Sequence, residues 1–96
     1  MGRKTIKIMH YIYIIYSKKL NKLYKGSTAN LQRRINNHNQ GRVRSTKNGK
    51  PWKIVYYETF IKKTDALREE KFLKSGKGKE RIKYLLKTYL TENTKK

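Results

Sequence analysis

The sequence predicts a small α+β fold, three mainly antiparallel strands with helices on the faces of the sheet, in the order β-β-α-β-α-α. Three observations predict it. Two runs, Tyr11 to Tyr16 (YIYIIY) and Trp52 to Phe60 (WKIVYYETF), are aromatic or β-branched at both alternating sets of positions, which suits strands covered on both sides. Between them, NLQRRINNHNQ is bounded by cap residues and by Gly41, the marks of a helix. Near the C-terminus Ile82, Leu85, Leu86 and Tyr89 recur at i, i+3, i+4 and i+7, one face of an amphipathic helix.

Taken in order, residues 1–8 read as a loose basic tail, 9–90 as a single domain and 91–96 as a C-terminal tail. After the first strand, Lys18 to Lys22 with Asn21 forms a polar turn into a second strand near Leu23 to Ser27, making a hairpin. Thr28 or Asn30 caps the first helix, which stops at Gly41. Gln40 to Pro51 is a long polar loop leading to the third strand. Thr64 with Asp65 starts a second helix, ALREEKFLKS, halted by Gly76 and Gly78, and a third runs from about Lys79 to Leu90.

Composition narrows the function. The 96 residues hold 26 Lys and Arg against 6 Asp and Glu, a formal net charge of +20. So large an excess repels itself and calls for a polyanionic partner, nucleic acid before an anionic membrane surface. There is no cysteine, which excludes disulfides and cysteine zinc sites, and the two histidines, His10 and His38, are too few for a zinc site of their own. The N-terminal apolar run is short, tyrosine-rich and followed by Lys18 and Lys19, so it reads as a strand and not a signal peptide. No stretch approaches the roughly 20 apolar residues of a membrane span, so a soluble, cytoplasmic protein is expected, near the nucleoid if bacterial.

Helical phase marks polar residues that face inward. A turn of about 100° per residue puts Leu31, Arg34, Ile35 and His38 on one face of the first helix, with Arg33 opposite. A guanidinium on an apolar stripe is costly unless it is paired or lines a pocket, and its bland alternative is to snorkel out to water. In the second helix Glu70 falls between Ala66 with Leu67 on one side and Leu73 on the other, while Glu69 points toward the edge. Glu70 is therefore either half of a buried pair with a lysine or a carboxylate ligand for a hard divalent cation.

These residues sit in a recognisable order. YIY (Tyr11-Ile12-Tyr13), then YKG (Tyr24-Lys25-Gly26) opening into STANLQRRINNH, then a strand, then ALREEK, resembles the GIY-YIG nuclease family over about residues 10 to 86. It looks most like the small single-domain members related to the nuclease module of bacterial excision repair and to homing endonucleases. The resemblance implies a GIY-YIG-like fold and a metal-dependent endonuclease that hydrolyses phosphodiester bonds in DNA. It puts Tyr13, Tyr24, Arg34, His38 and Glu70 at the catalytic positions, with Glu70 holding one Mg²⁺ or Mn²⁺. Tyr13 then activates the attacking water, Arg34 braces the phosphate oxygens, and Tyr24 and His38 position groups or relay the proton. Because an ordinary phenol titrates near 10, the cation and the surrounding positive charge are expected to ease the ionisation of Tyr13. Two positions depart from the family's motifs: Tyr11 replaces the glycine of GIY and Lys25 the middle residue of YIG. SGKGKERIKYLLKTYL has no counterpart of the late asparagine found in some members.

Phosphate contacts are expected from Lys18, Lys19, Lys22 and Lys25 around the hairpin and from Arg42, Arg44, Lys47 and Lys50 in the long loop. Such contacts supply affinity and salt dependence without reading sequence, so cutting is expected to be structure-selective or non-specific. DNA is the expected partner, RNA the other polyanion this charge suits, and the chain is expected to act as a monomer, with targeting by a partner left open. The rival readings are a protein that keeps the nuclease fold but only binds nucleic acid, and a ribosome-associated basic protein.

Overall fold

The computed structural model describes residues 8–94. Three strands, β1 (His10–Ser17), β2 (Lys22–Thr28) and β3 (Trp52–Phe60), form one antiparallel sheet in the order β2-β1-β3. The first strand is thus central, and its predicted double coverage is met: Ile12 to Ser17 are all buried. Helices α1 (Leu31–Asn39), α2 (Lys63–Leu73), α3 (Gly76–Leu85) and α4 (Lys87–Thr94) flank the sheet, and a short 3₁₀ turn (Lys47–Gly49) precedes β3.

Strand alternation divides the interior into two cores. On one face Ile12 and Ile14 pack with Ala66, Leu73, Ile82 and Leu86 from α2, α3 and the α3–α4 junction. On the other, Tyr13 and Ile15 meet Ile35 of α1 and Trp52. A register shift between Ile14 and Ile15 puts one extra residue, Val55, into β3, whose edge position leaves Tyr57 54% exposed. The β1–β2 turn passes through Asn21 at φ 53°, held by a hydrogen bond that Tyr16 Oη donates to Asn21 Oδ1 (3.0 Å).

Asn30, and not Thr28, caps α1: its side chain accepts the Arg33 N–H at 3.0 Å, while the Thr28 hydroxyl accepts the Asn30 N–H at 3.1 Å. Gly41, at φ 77°, ends the helix as expected. The C-terminal region differs from the sequence expectation. Gly76 and Gly78 do not separate two helices at Lys79; α3 begins at Gly76 itself, capped by Ser75, whose hydroxyl accepts the Gly78 N–H at 3.1 Å. Gly78 lets α3 cross the end of α2 closely, since a Cβ there would collide with the Phe72 carbonyl oxygen and lie 2.5 Å from Leu73 Cα. The expected third helix breaks at Leu86, and α4 continues to Thr94. Of its expected inward face, Ile82 and Leu86 are buried, whereas Leu85 and Tyr89 are only partly covered. Leu67, expected on the core face of α2, is 46% exposed. The basic segment expected over 1–8 lies, apart from Ile8, outside the described residues. Among the described residues no helix is long and apolar enough to cross a membrane.

Candidate active site

Residues that face one another across β1, β2 and α1 converge on a single phenol. Tyr13 projects from the central strand toward α1 and is 1% exposed. Its hydroxyl lies 2.9 Å from His38 Nε2 and accepts a hydrogen bond from Arg34 Nε at 3.3 Å. Arg34 and His38 stand one turn apart on α1, so helical spacing alone aims both at the same atom. Tyr24, which pairs with Ile15 across the hairpin, shares this face and sets its ring edge-on to His38 at 5.2 Å between centroids.

Gly26 explains how the phenol fits. It lies opposite Tyr13 in the β1–β2 register, and a Cβ at this position would stand 2.5 Å from the Tyr13 hydroxyl oxygen and 2.7 Å from Cζ. The ring therefore occupies the space a side chain would take, which gives the glycine of the YKG stretch a steric reason.

His38 is fully buried and bonded at both ring nitrogens, its Nδ1 lying 2.7 Å from the hydroxyl of Thr46. Thr46, 1% exposed, lies 3.4 Å from the Val43 carbonyl, to which its own O–H donates. The network that gives each proton an acceptor runs in one direction: Arg34 Nε–H to Tyr13 Oη, Tyr13 O–H to His38 Nε2, His38 Nδ1–H to Thr46 Oγ1, Thr46 O–H to Val43 O. Burial, reinforced by the Arg34 charge, pushes His38 down to about 4, so the imidazole is neutral at pH 7. Trp52 holds the loop in place: its indole N–H donates to the Thr46 carbonyl (2.7 Å), and its backbone exchanges hydrogen bonds with the Asn39 side chain (2.6 and 3.0 Å).

The electrostatics of Tyr13 run against the sequence expectation. Burial raises the phenol above its ordinary value, outweighing the lowering by the Arg34 hydrogen bond and charge; Tyr24 and Glu70 raise it further. In return the Tyr13 hydroxyl, more than any other group, holds Arg34 in its charged form.

Glu70 reaches the site from the other side of β2. Ser27 neighbours Gly26 but points to the α2 face, and its hydroxyl donates to Glu70 Oε1 at 2.7 Å. The second carboxylate oxygen takes Lys74 Nζ at 2.9 Å, a partner 51% exposed one turn along α2. Glu70 is thus paired with a lysine, but at the surface and not in the buried pair the sequence offered, and its charge acts on the ionisation of Tyr13. Among the described residues no three His, Asp or Glu side chains come together as a ready metal cage. A single carboxylate still fits an ion that keeps most of its waters and takes further oxygens from a phosphate, and Lys74 is exposed enough to swing away. The donor set is compatible with Mg²⁺ or Mn²⁺ in that mode only.

The predicted phosphate contacts divide. Lys18, Lys19 and Lys22 are exposed at the hairpin turn and the start of β2, and Arg42, Arg44, Lys47 and Lys50 are exposed on the loop that carries Thr46. Lys25, expected among them, is half-buried and pairs in register with Ile14, so it points to the α2–α3 face and away from Tyr13. A groove of about 310 Å³ lined by Thr28, Asn30, Arg33, Arg34 and Asn37 opens beside the Arg34 guanidinium. Asn93 donates to the Tyr89 carbonyl at 2.8 Å within α4 and takes no part in the cluster. Thr46, Ser27 and Lys74 were not singled out by the sequence. Only Lys74 carried a signal, its i+4 spacing from Glu70.

The model of the GIY-YIG catalytic domain matches residues 9–84. A UPF0213 protein of Staphylococcus haemolyticus is 38% identical over 77 residues, 79% of this chain and 93% of that protein. One from Lactiplantibacillus plantarum is 38% identical over 87 residues, 84% and 83% of the two chains. The solution NMR structure of a UPF0213 protein from Bacillus halodurans superposes with a TM-score of 0.51 at 32% identity, covering 80% of this chain and 84% of that one.

Proposed function

The chain belongs to the GIY-YIG family, a nuclease-type family, and from that premise we propose that it is a divalent-metal-dependent endonuclease hydrolysing phosphodiester bonds in DNA. The observation that carries the reading is the convergence of Arg34 and His38 on the buried Tyr13 hydroxyl, with a lone carboxylate, Glu70, within electrostatic reach across β2. A desolvated phenol joined to both a guanidinium and a neutral imidazole is the kind of arrangement by which functional sites tune ionisation, which supports the reading.

Phosphodiester hydrolysis needs an activated water, stabilisation of charge on the non-bridging oxygens and help for the leaving 3′-oxygen. Arg34, lining the groove beside α1, braces the phosphate oxygens with a planar donor set. Tyr13 accepts the proton of the attacking water once its own proton has moved toward His38 Nε2, along the hydrogen bond already made. In the resting chain that transfer is uphill, since burial raises the phenol above its ordinary value and pushes the imidazole down to about 4. Glu70 would hold the divalent cation, which when bound would supply positive charge beside Tyr13 and at the phosphate where the carboxylate alone raises the phenol. Ser27 orients the carboxylate for that ion, and Tyr24 packs against His38 to hold the ring. The basic loop and hairpin contact phosphates, so selection follows the shape of the DNA and not its sequence.

The test incubates the protein with supercoiled, linear and branched DNA, with and without Mg²⁺ or Mn²⁺, beside Glu70→Ala and Tyr13→Phe at matched salt. Metal-dependent cleavage is expected, with at least a 10²-fold loss in either variant and DNA binding retained. Binding without cutting under every metal would make the chain a non-catalytic nucleic-acid clamp on this fold.

A further inference from the structure

On the face of the sheet opposite Tyr13, a cavity of about 540 Å³ opens between β2 and α3. Tyr16, Leu23, Ile82 and Leu90 form its apolar floor, and Lys22, Lys25, Lys79 and Lys83 ring it. None of the six acidic residues lines it, although Lys83 has an exposed partner in Glu80 at 3.7 Å. The lysines sit there against their own repulsion: Lys25 is lowered by burial and by the charges of Lys79 and Lys74. Lys74 is the residue bonded to Glu70, and its charge reaches Lys25, so the lysine patch extends to the Glu70 side of the candidate active site and not to the phenol cluster on the other face.

We infer that this cavity takes one unpaired nucleotide of the DNA substrate, its phosphate against Lys25 and Lys79 and its base on the Leu23–Ile82–Leu90 floor. The inference rests on the nuclease reading and narrows its substrate class to duplexes with a single-stranded branch or overhang beside the cut. Charge complementarity selects an anion, and the apolar floor selects one with a flat unpaired base. A paired base in a duplex is held inside the stack and cannot reach a concave floor, whereas an unpaired one can. The volume lies within the range of pockets that hold small ligands.

The experiment measures binding by fluorescence anisotropy in EDTA, so that no cleavage is needed. A labelled blunt duplex is compared with the same duplex carrying a five-nucleotide overhang, for the wild-type chain, the double variant Lys79→Gln with Lys83→Gln, and Arg42→Gln with Arg44→Gln. Wild type should bind the overhang duplex about tenfold more tightly than the blunt one. Losing Lys79 and Lys83, both exposed, should bring that ratio below about 2 with an unchanged melting temperature. It should also shallow the salt slope on the overhang duplex by about 0.7, the value for one single-strand phosphate contact. The Arg42 and Arg44 variant should weaken both duplexes alike and keep the ratio. No overhang preference in the wild type, or an equal loss on both duplexes in the lysine variant, overturns the inference. Full competition by thymidine monophosphate at micromolar concentration overturns it too, in favour of a free nucleotide. Overhang preference without cleavage under any metal would sink the nuclease reading alone, and metal-dependent cleavage without the preference would sink this one alone.

Discussion

Acidification should unfold this protein partly through a single ring. His38 is fully buried and lies at about 4, against an ordinary 6.5, because burial and the Arg34 charge both oppose its cationic form. In the unfolded chain it takes a proton near 6.5; in the folded chain it does not until about 4. The unfolded state therefore binds more protons across that window, and stability falls as pH drops through it. The contribution is complete above about pH 6.5 and lost by about pH 4. Its size is about 3 kcal/mol, at 1.36 kcal/mol per pKa unit, a large share of the 5–15 kcal/mol typical of a domain. The network gives the same direction, since an imidazolium would have to donate to Tyr13 Oη, which already accepts from Arg34. Glu69 does not mimic the effect: burial and Glu58 raise it, so folding holds its proton more firmly and stability gains as pH falls toward the ordinary carboxylate range. Urea unfolding at pH 8 to 3.5, paired with an NMR titration of the His38 ring, reads both quantities. A native His38 titrating near 6.5, with stability flat between pH 7 and 5, would refute the reasoning.

Thr46→Val keeps the shape but strands the His38 Nδ1–H, and should cost about 1–3 kcal/mol in urea unfolding; Thr46→Ser should restore most of it, and ¹⁵N shifts of the ring should report a tautomer change only in the valine variant. Gly26→Ala places a methyl 2.5 Å from the Tyr13 hydroxyl oxygen and should destabilise by about 1–3 kcal/mol, with cleavage falling further than the loss of folded protein accounts for. Ser27→Ala removes the hydroxyl that orients Glu70 and should weaken the metal dependence of cleavage about 10–100-fold, measured as the Mg²⁺ concentration giving half-maximal rate, without changing DNA binding in EDTA. Ultraviolet titration of tyrosinate should show one phenol lowered by Mg²⁺ in the wild type, and none in Glu70→Gln or Tyr13→Phe.

The candidate site was legible wherever its logic is local. Arg34 and His38 were marked as inward-facing because a 3.6-residue period places them with Leu31 and Ile35, and they do share a face and a target. Glu70 was marked by the same phase in α2, and it is half-buried against the sheet. Thr46 carried no such mark. It sits in a polar loop, and its role depends on Trp52 and Asn39 folding that loop back over α1. Ser27 was equally silent, because its partner lies 43 residues away. Gly76 and Gly78 misled, since a glycine can mark a helix stop or a close crossing, and only the path of α2 beneath α3 distinguishes the two.

By itself the sequence determined what short-range periodicity and charge can encode: three strands, the inward face of the first helix with its arginine and histidine, the half-buried glutamate of the second, and a charge that calls for a polyanionic partner. The tertiary structure alone decided strand order, register and sidedness, because these depend on pairings between distant segments. The β2-β1-β3 order and the hairpin register put Tyr24 on the α1 face and its neighbour Lys25 on the other. That one-residue alternation separates the phenol cluster from the lysine-rimmed cavity and leaves Glu70 reaching toward Tyr13 from across the edge strand.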